Sequence, residues 1–581
     1  MTTTAPLRLP IPSLTDTCQR YLHQVRPLLS DEEYARTESV VGEFLNGVGP
    51  TLQEALQGFD AAPERAEESW LIGAWLESYL SGRTPPPLST SISIAIPMHG
   101  HDLAEWLAAF ARVCADHHHG RIPVPQAPGG TPHCMEQWRV LQGASRLAFP
   151  QIDGYTINEH GSRHIGVLHN GYYTRLLALD ESHEALPAEH FRQALAQIRR
   201  DPASNPFPVA TPCYLGGETT SHVLNGLDQI HEDNRRLLDD IRNDLFHICL
   251  RNMAEDEDAE LASTTFLGAQ DVWCYKPFSL IYNDSTQRLH MHCEHTHEDG
   301  GTLRGIIKRA CNLLPSSEGA GHAEAAGDSA AHAEIAAQDR AGLTRRAWHL
   351  DAELERKWPA WQTDYARQAS VLRIRSVLVP ADTAGVPKGI SHDALMQFLM
   401  QYAQQATWGK VRNTYEAVDA SHFQRGRTEC VRPVSTESLA FVQGLLKDSP
   451  SEEAFRAALL EHKTRIKLCK QGQGPNRHLL GLQLTATREG MEMPALFQDR
   501  GYQVFSTDFL STSTLGTDDI IRGFGFAPTS AGGLGINYTL SQKGWQFIVC
   551  HHQDQAADVA TFIGHLQEGG ARLLRFLENL G

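Results

Sequence analysis

Residues 276–300 read "KPFSLIYNDSTQRLHMHCEHTHEDG". Two apolar runs flank Asn283-Asp284-Ser285, a pattern that predicts two strands joined by a turn. Side chains alternate along a strand, so His290, His292 and Glu294 share one face, and Met291, Cys293 and His295 the other. A turn then closes on Asp299-Gly300. The last eleven positions hold four histidines and three carboxylates, and two chemistries compete for them. A zinc site needs three or four ligands converging at about 2.0–2.3 Å, and the two H-x-H pairs supply some of them. Against metal, H-E-x-x-H with its helical spacing is absent, and 29 histidines in the chain make local clusters by chance. The second reading makes His295 a general base at a strand end. Asp299, four residues on, holds the ring's Nδ1–H or braces the turn, which leaves Nε2 free. The second reading is preferred, with no metal; a zinc-dependent hydrolase is the remote alternative.

The surrounding chain bounds the answer. At 581 residues it is long enough for two domains or one bilobed enzyme. With 41% hydrophobic and 21% charged residues it buries a core. A net charge of −18 without a Lys/Arg block excludes a nucleic-acid footprint. Eleven cysteines without a C-x-x-C pair read as reduced thiols. The start, "MTTTAPLRLPIP", has no signal-peptide stretch, and no run is long enough to span a membrane. A cytoplasmic protein is expected.

Along the chain, Cys18, Tyr21, Leu22, Val25 and Leu29 form one helical face, and Ser30 with Glu33 makes a capping box for the next helix. Residues 315–343, rich in Ala, Gly, Glu and His, read as a loop or mobile helical insert without chemistry. "VLRIRSVLV" (371–379) reads as a buried strand opening a second half, followed by an amphipathic helix around "HDALMQFLMQYAQQA". Strand patterns return in "HLLGLQLTA", "QVFSTDF", "GINYTL" and "WQFIVC", and a last helix buries Val559, Phe562, Ile563, Leu566, Leu573, Leu574 and Leu577. Two α/β lobes follow, residues 1–365 and 366–581.

The stretch "DVWCYKPFSLIYNDS…HCEHTHEDGGTL" resembles the catalytic-histidine region of the choline/carnitine acyltransferases, where a strand runs into E-H-x-x-x-[DE]-G. "LRLPIPSLTDTCQRYLHQVRPLLSDEEYARTESVVGEFL", "WLIGAWLESYLSGRTPPPL", "NTYEAVDASHFQRGRTECVRP", "NRHLLGLQL", "FLSTSTLG" and "GFAPTSAGGLGINYTL" resemble further landmarks of that family, in the same order and over nearly the whole chain. The resemblance implies two α/β lobes of related topology, chloramphenicol-acetyltransferase-like, with an active-site tunnel between them. It implies acyl exchange between coenzyme A, a co-substrate and not a bound cofactor, and a small hydroxylated quaternary amine, without an acyl-enzyme. His295 is then the base, Asp299 its orienting acid, and Ser513 the oxyanion donor. Tyr415, Thr428 and Arg477 match the positions that receive a carnitine carboxylate; choline-specific members have a neutral residue at the arginine position. Phe526 matches an aromatic beside the trimethylammonium group. Lys388, Asp393 and Lys463 match coenzyme-binding positions.

The chain departs from the family pattern in four places. Ala417 stands where a carboxylate-binding serine is usual, and just Lys388 remains of a lysine-rich run. His392 replaces a proline, and "LGGETTSHVLNGLD" (215–228) lacks R-D-x-W-A. A different amino alcohol or biosynthetic hydroxyl acceptor, or a carrier-protein thioester donor, therefore stays open. Phe524, two before Phe526, is expected to fill the acyl pocket and favour short chains, with the register against Gly523 and Gly525 undetermined by sequence.

Overall fold

The computed structural model describes residues 5–127, 130–315, 329–383 and 385–580, with backbone alone for 329–334 and 336. The first half supplies β1 (Ile92–Ile96), β2 (Ala144–Leu147), β3 (Gly154–Ile157), β4 (His164–His169), β5 (Tyr172–Leu177), β6 (His247–Arg251), β7 (Phe278–Asn283) and β8 (Arg288–Cys293). The second supplies β9 (Leu372–Pro380), β10 (Thr414–Asp419), β11 (Thr428–Val431), β12 (Leu510–Ser513), β13 (Gly523–Phe526), β14 (Leu534–Ser541) and β15 (Gly544–His552). They form a seven-stranded sheet, β13-β1-β8-β7-β6-β4-β5, and a six-stranded sheet, β11-β10-β12-β14-β15-β9, with β2 and β3 paired apart. Helices cover both, which makes a two-lobed α/β fold.

Sequence order and spatial order part company twice. β13, from the second half, pairs antiparallel with β1 and closes the first sheet's edge, Phe526 facing Ile92. The N-terminal helices, with Tyr21, Val41, Phe44 and Leu52, pack against Leu479, Leu482, Phe497 and Phe505 of the second half. The two lobes are thus held together by shared core as well as by contact.

Local signals explain most elements. The hairpin of β7 and β8 forms as the sequence predicts, Asn283 opposite Arg288. Ser30 and Glu33 make both bonds of their capping box. "GINYTL" and "WQFIVC" lie in β14 and β15. Other expectations are corrected. "HLLGLQLTA" belongs to the helix Pro475–Arg488, in which His478, Leu479, Leu482, Thr485 and Ala486 are buried. Those buried positions recur with helical spacing, and Pro475 sits in the first turn, where its missing N–H costs nothing. "QVFSTDF" is a helix end and a loop; the strand starts at Leu510. β9 is an edge strand with Arg375 and Ser376 exposed, not a buried one. The helix His392–Trp408 is buried on all sides from Ala394 to Gln404. Within the expected insert, residues 316–328 lie outside the described residues and Ser329–Gly342 is helical. Among the described residues, no helix is long and apolar enough to cross a membrane.

Candidate active site

The first sheet delivers His295. β8 ends at Cys293, the Glu294 N–H still donates to the Pro277 carbonyl at 3.0 Å, and His295 then takes φ +78°. A left-handed conformation is costly for a residue with a Cβ and persists only where its surroundings impose it. Here Arg427 imposes it. Its guanidinium donates to the carbonyls of His295 (3.2 Å), Thr296 (2.5 Å) and Glu298 (3.3 Å). It also grips Asp299, Nε to Oδ2 at 2.8 Å and Nη2 to Oδ1 at 3.0 Å. Gln137 closes the loop, accepting from the Asp299 N–H (2.8 Å) and donating to its Oδ2 (2.9 Å). Glu294, on the other flank, pairs with the buried Arg146 at 2.9 Å and accepts from the Thr296 N–H.

The sequence offers Asp299 two roles, to hold the His295 Nδ1–H or to brace the turn. The separation is 3.8 Å, too long for a hydrogen bond, because both carboxylate oxygens are committed to Arg427 and Gln137. Asp299 braces the turn, and its charge favours the imidazolium at a distance. Burial outweighs that charge and lowers the His295 pKa below the ordinary histidine value; Arg427 acts in the same direction as burial. The ring stacks on Tyr79, centroids 5.7 Å apart at 20°. Nδ1 has no exposed surface, so Nε2 is the nitrogen left for the cavity.

That cavity, about 250 Å³, lies between the ends of β8 and β12. His295, Trp75 and Tyr79 line one side, Tyr415, Ala417, Thr428 and Ser511–Ser513 another, and Phe524 and Phe526 a third. Parallel pairing sets Tyr415 beside Ser511, so two sequence-remote motifs meet on one wall. Along β13, Phe524 and Phe526 both line the cavity, their rings 5.9 Å apart. The glycines face away, where a Cβ would lie 2.3 Å from Ile548 at Gly523 and 2.5 Å from Thr265 at Gly525.

Arg477 stands one layer behind this wall. It donates to the Thr428 carbonyl (3.0 Å), the Tyr415 hydroxyl (3.3 Å) and the Thr428 hydroxyl (3.4 Å), and lies 4.7 Å over the Trp75 ring. Among the described residues no carboxylate lies within ion-pair distance of its guanidinium. The buried Glu429 carboxylate accepts the Arg477 backbone N–H at 3.2 Å and acts on the guanidinium at longer range. Arg477 donates to both hydroxyl oxygens, and both of those residues line the cavity.

Lys388 and Lys463 are exposed, outside the cavity lining. Asp393, beside them in the expectation from sequence, turns inward. It accepts from Tyr538 (2.7 Å) and bonds His462 (2.7 Å), in a buried network that continues through Glu416 to Thr512 (2.8 Å). Burial and the neighbouring Asp393 push Glu416 up to about 8, so it is protonated at neutral pH. Arg427, Gln137, Glu416, Trp75 and Tyr79 were not singled out by sequence. The four clustered histidines diverge: His290 and His292 contact Thr264, and His297 stacks on Tyr155. Among the described residues, none of them belongs to a group with metal-ligand spacing.

Carnitine O-palmitoyltransferase 2, mitochondrial, from Xenopus tropicalis is 27% identical over 94% of this chain and 90% of its own length. Carnitine O-acetyltransferase from Mus musculus is 25% identical over 97% and 91%. Among solved structures, the epimerization domain from the third module of tyrocidine synthetase B aligns at a TM-score of 0.39 and 9% identity, over 87% of this chain and 96% of that one. The family model of choline/carnitine O-acyltransferases matches residues 9–568, and the chain is therefore an acyltransferase that belongs to this family.

Proposed function

We propose that the protein moves a short acyl group between coenzyme A and the hydroxyl of carnitine. The carrying observation is the pair of hydroxyls, Tyr415 and Thr428, that lines the cavity with the Arg477 guanidinium directly behind it. A carnitine carboxylate gains from that positive charge beyond what Glu429 already offsets; choline, which has no carboxylate, does not. The trimethylammonium group then packs toward Phe526.

His295 Nε2 takes the hydroxyl proton as the oxygen attacks the thioester carbonyl. Ser513 donates to the oxyanion, a contribution of about 3–4 kcal/mol where such donors have been removed. The C–S bond breaks, and the same nitrogen returns its proton to the sulfur. In the reverse direction the thiol is the nucleophile and the alkoxide the leaving group. A lowered pKa supports this role, since the ring is then neutral and ready to accept a proton at pH 7. Phe524 fills the space beside Phe526 and favours an acetyl-sized group. Lys388 and Lys463 receive the coenzyme's phosphates, and Asp393 acts from the start of the helix His392–Trp408 through its bonds to Tyr538 and His462. Ala417 motivates a second acceptor, an amino alcohol that needs no hydroxyl from that position.

Thiol release from acetyl-CoA, with carnitine and choline as separate acceptors, tests the proposal. Release with carnitine, weak release with choline and loss of both in His295→Ala are expected. Equal release with both acceptors would refute the carboxylate reading, and release undiminished in His295→Ala would refute the base.

A further inference from the structure

Away from the cavity, the helix Gly217–Ile230 ends at His231, and the helix Glu232–Asn243 begins at once. Against this junction lies a strap, residues 344–351, that reaches His349. His231 Nδ1 and His349 Nε2 each stand 3.5 Å from one oxygen, Asp233 Oδ2. The two rings stack with centroids 4.0 Å apart, and one ligand atom from each residue lies within 4.8 Å of the others.

The 3.5 Å spacing is informative. A charge-assisted hydrogen bond closes to about 2.7–2.9 Å, so neither contact is one. Ligands on a tetrahedral zinc ion, at bonds of about 2.0–2.1 Å, stand about 3.3–3.4 Å apart. Both oxygen-to-nitrogen spacings therefore match a coordination sphere, and the exposed imidazoles need to turn out of their stack by about an ångström to point at one ion.

The backbone that carries them is fixed by a buried clamp. Asn234 donates to the carbonyls of Leu227 (2.9 Å) and His349 (2.8 Å) and accepts from the His349 N–H (2.8 Å). The strap is pinned again by Trp348, whose indole donates to the Val209 carbonyl at 2.9 Å. Two contacts compete with an ion. His231 Nδ1 accepts the Asp233 N–H at 3.1 Å, and this bond is exchanged for the metal. Arg236 lies 3.5 Å from Asp233 Oδ1, the oxygen the site does not use.

We propose that His231, Asp233 and His349 bind a divalent transition-metal ion and clip the strap to the helix junction. Two imidazoles with one carboxylate suit zinc, nickel or copper; magnesium and calcium take oxygen ligands instead. All three residues are exposed, so the ion enters freely and water completes its coordination.

The test uses the full chain without a polyhistidine tag, stripped by chelator and titrated with Zn²⁺ against a chromophoric competitor. One equivalent should bind distinctly tighter than the rest. His349→Gln and Asp233→Asn should each weaken it by about tenfold or more, with acyl transfer unchanged. Zn²⁺ should raise Tm in the wild type and not in His349→Gln, because an ion that binds the folded state stabilises it. His23→Ala, which breaks the other group with ligand spacing among the described residues, His23, Glu437 and Glu461, should leave the tight equivalent intact. The proposal is overturned by the absence of a tight equivalent, by one unchanged in His349→Gln, or by one lost in His23→Ala.

Discussion

His290 and His292 lie on β8, each less than a twentieth exposed, and contact Thr264 of the helix Glu257–Phe266. His295 lies two residues past the strand's end, with 19% of its side chain exposed at the cavity. Burial lowers all three pKa values, the strand pair to about 3. A neutral imidazole is therefore common to both places and does not single out His295 as the proposed base. The difference lies in where the sheet stops. Within β8 the pleat packs each ring against a helix; beyond it, one left-handed residue swings the ring toward a cavity. Histidine density misleads here, and the strand-to-turn boundary informs.

His295→Ala is the most direct way to break this contrast. Turnover should fall by about 10²- to 10⁴-fold with circular dichroism unchanged, whereas His292→Asn should leave turnover within severalfold. Equal losses in the two variants would erase the distinction between turn and strand. Next comes the brace. Arg427→Ala leaves Asp299 buried without its partner, a change that costs about 3–5 kcal/mol. Urea unfolding should show that loss, and turnover should fall as well because the His295 backbone is released. A stable but inactive variant would mean that Arg427 acts on the reaction and not on the turn.

The two regions also differ in how far sequence discloses them. The β7–β8 hairpin is legible because its turn residues and apolar alternation are local. So are the capping box at Ser30 and the strands of "GINYTL" and "WQFIVC". "HLLGLQLTA" misleads because its leucines alternate with other residues over a few positions, while the burial that matters recurs every three to four. The brace is illegible for a different reason. Gln137 and Arg427 reach Asp299 from remote segments, and no motif encodes a contact at that separation. Arg427 directly precedes Thr428, so a residue inside a recognised motif carried a second role that spacing alone did not reveal. The same limit applies to Arg477. Its type and position point to an anion, but only the fold shows its hydrogen bonds to the Tyr415 and Thr428 hydroxyls.

That arrangement sharpens the comparison at the acceptor wall. Arg477→Met should raise the carnitine KM by about 10- to 100-fold, the equivalent of about 1.5–3 kcal/mol for charged hydrogen bonds, and barely move a choline KM. Tyr415→Phe should give a smaller shift in the same direction, since Thr428 still donates. If Arg477→Met alters both substrates alike, the arginine supports the wall's structure and carries no selectivity.

The smallest expected effect separates strand from turn by pH. A histidine depressed from 6.5 to about 3 stays neutral in the folded state, while the unfolded chain takes up its proton as pH falls through 6.5. The unfolded state then binds more protons, so stability drops as pH falls from 6.5 toward 3. Between pH 7 and 5.5 each such ring removes about 1 kcal/mol. His292→Asn should flatten the stability-against-pH curve by that amount in urea unfolding and leave the acid limb of kcat/KM in place. That limb belongs to His295, whose lowered pKa puts its midpoint below 6.5. If His292→Asn moves the acid limb, the strand histidine is electrostatically coupled to the turn, and the sheet's end is not the boundary between them.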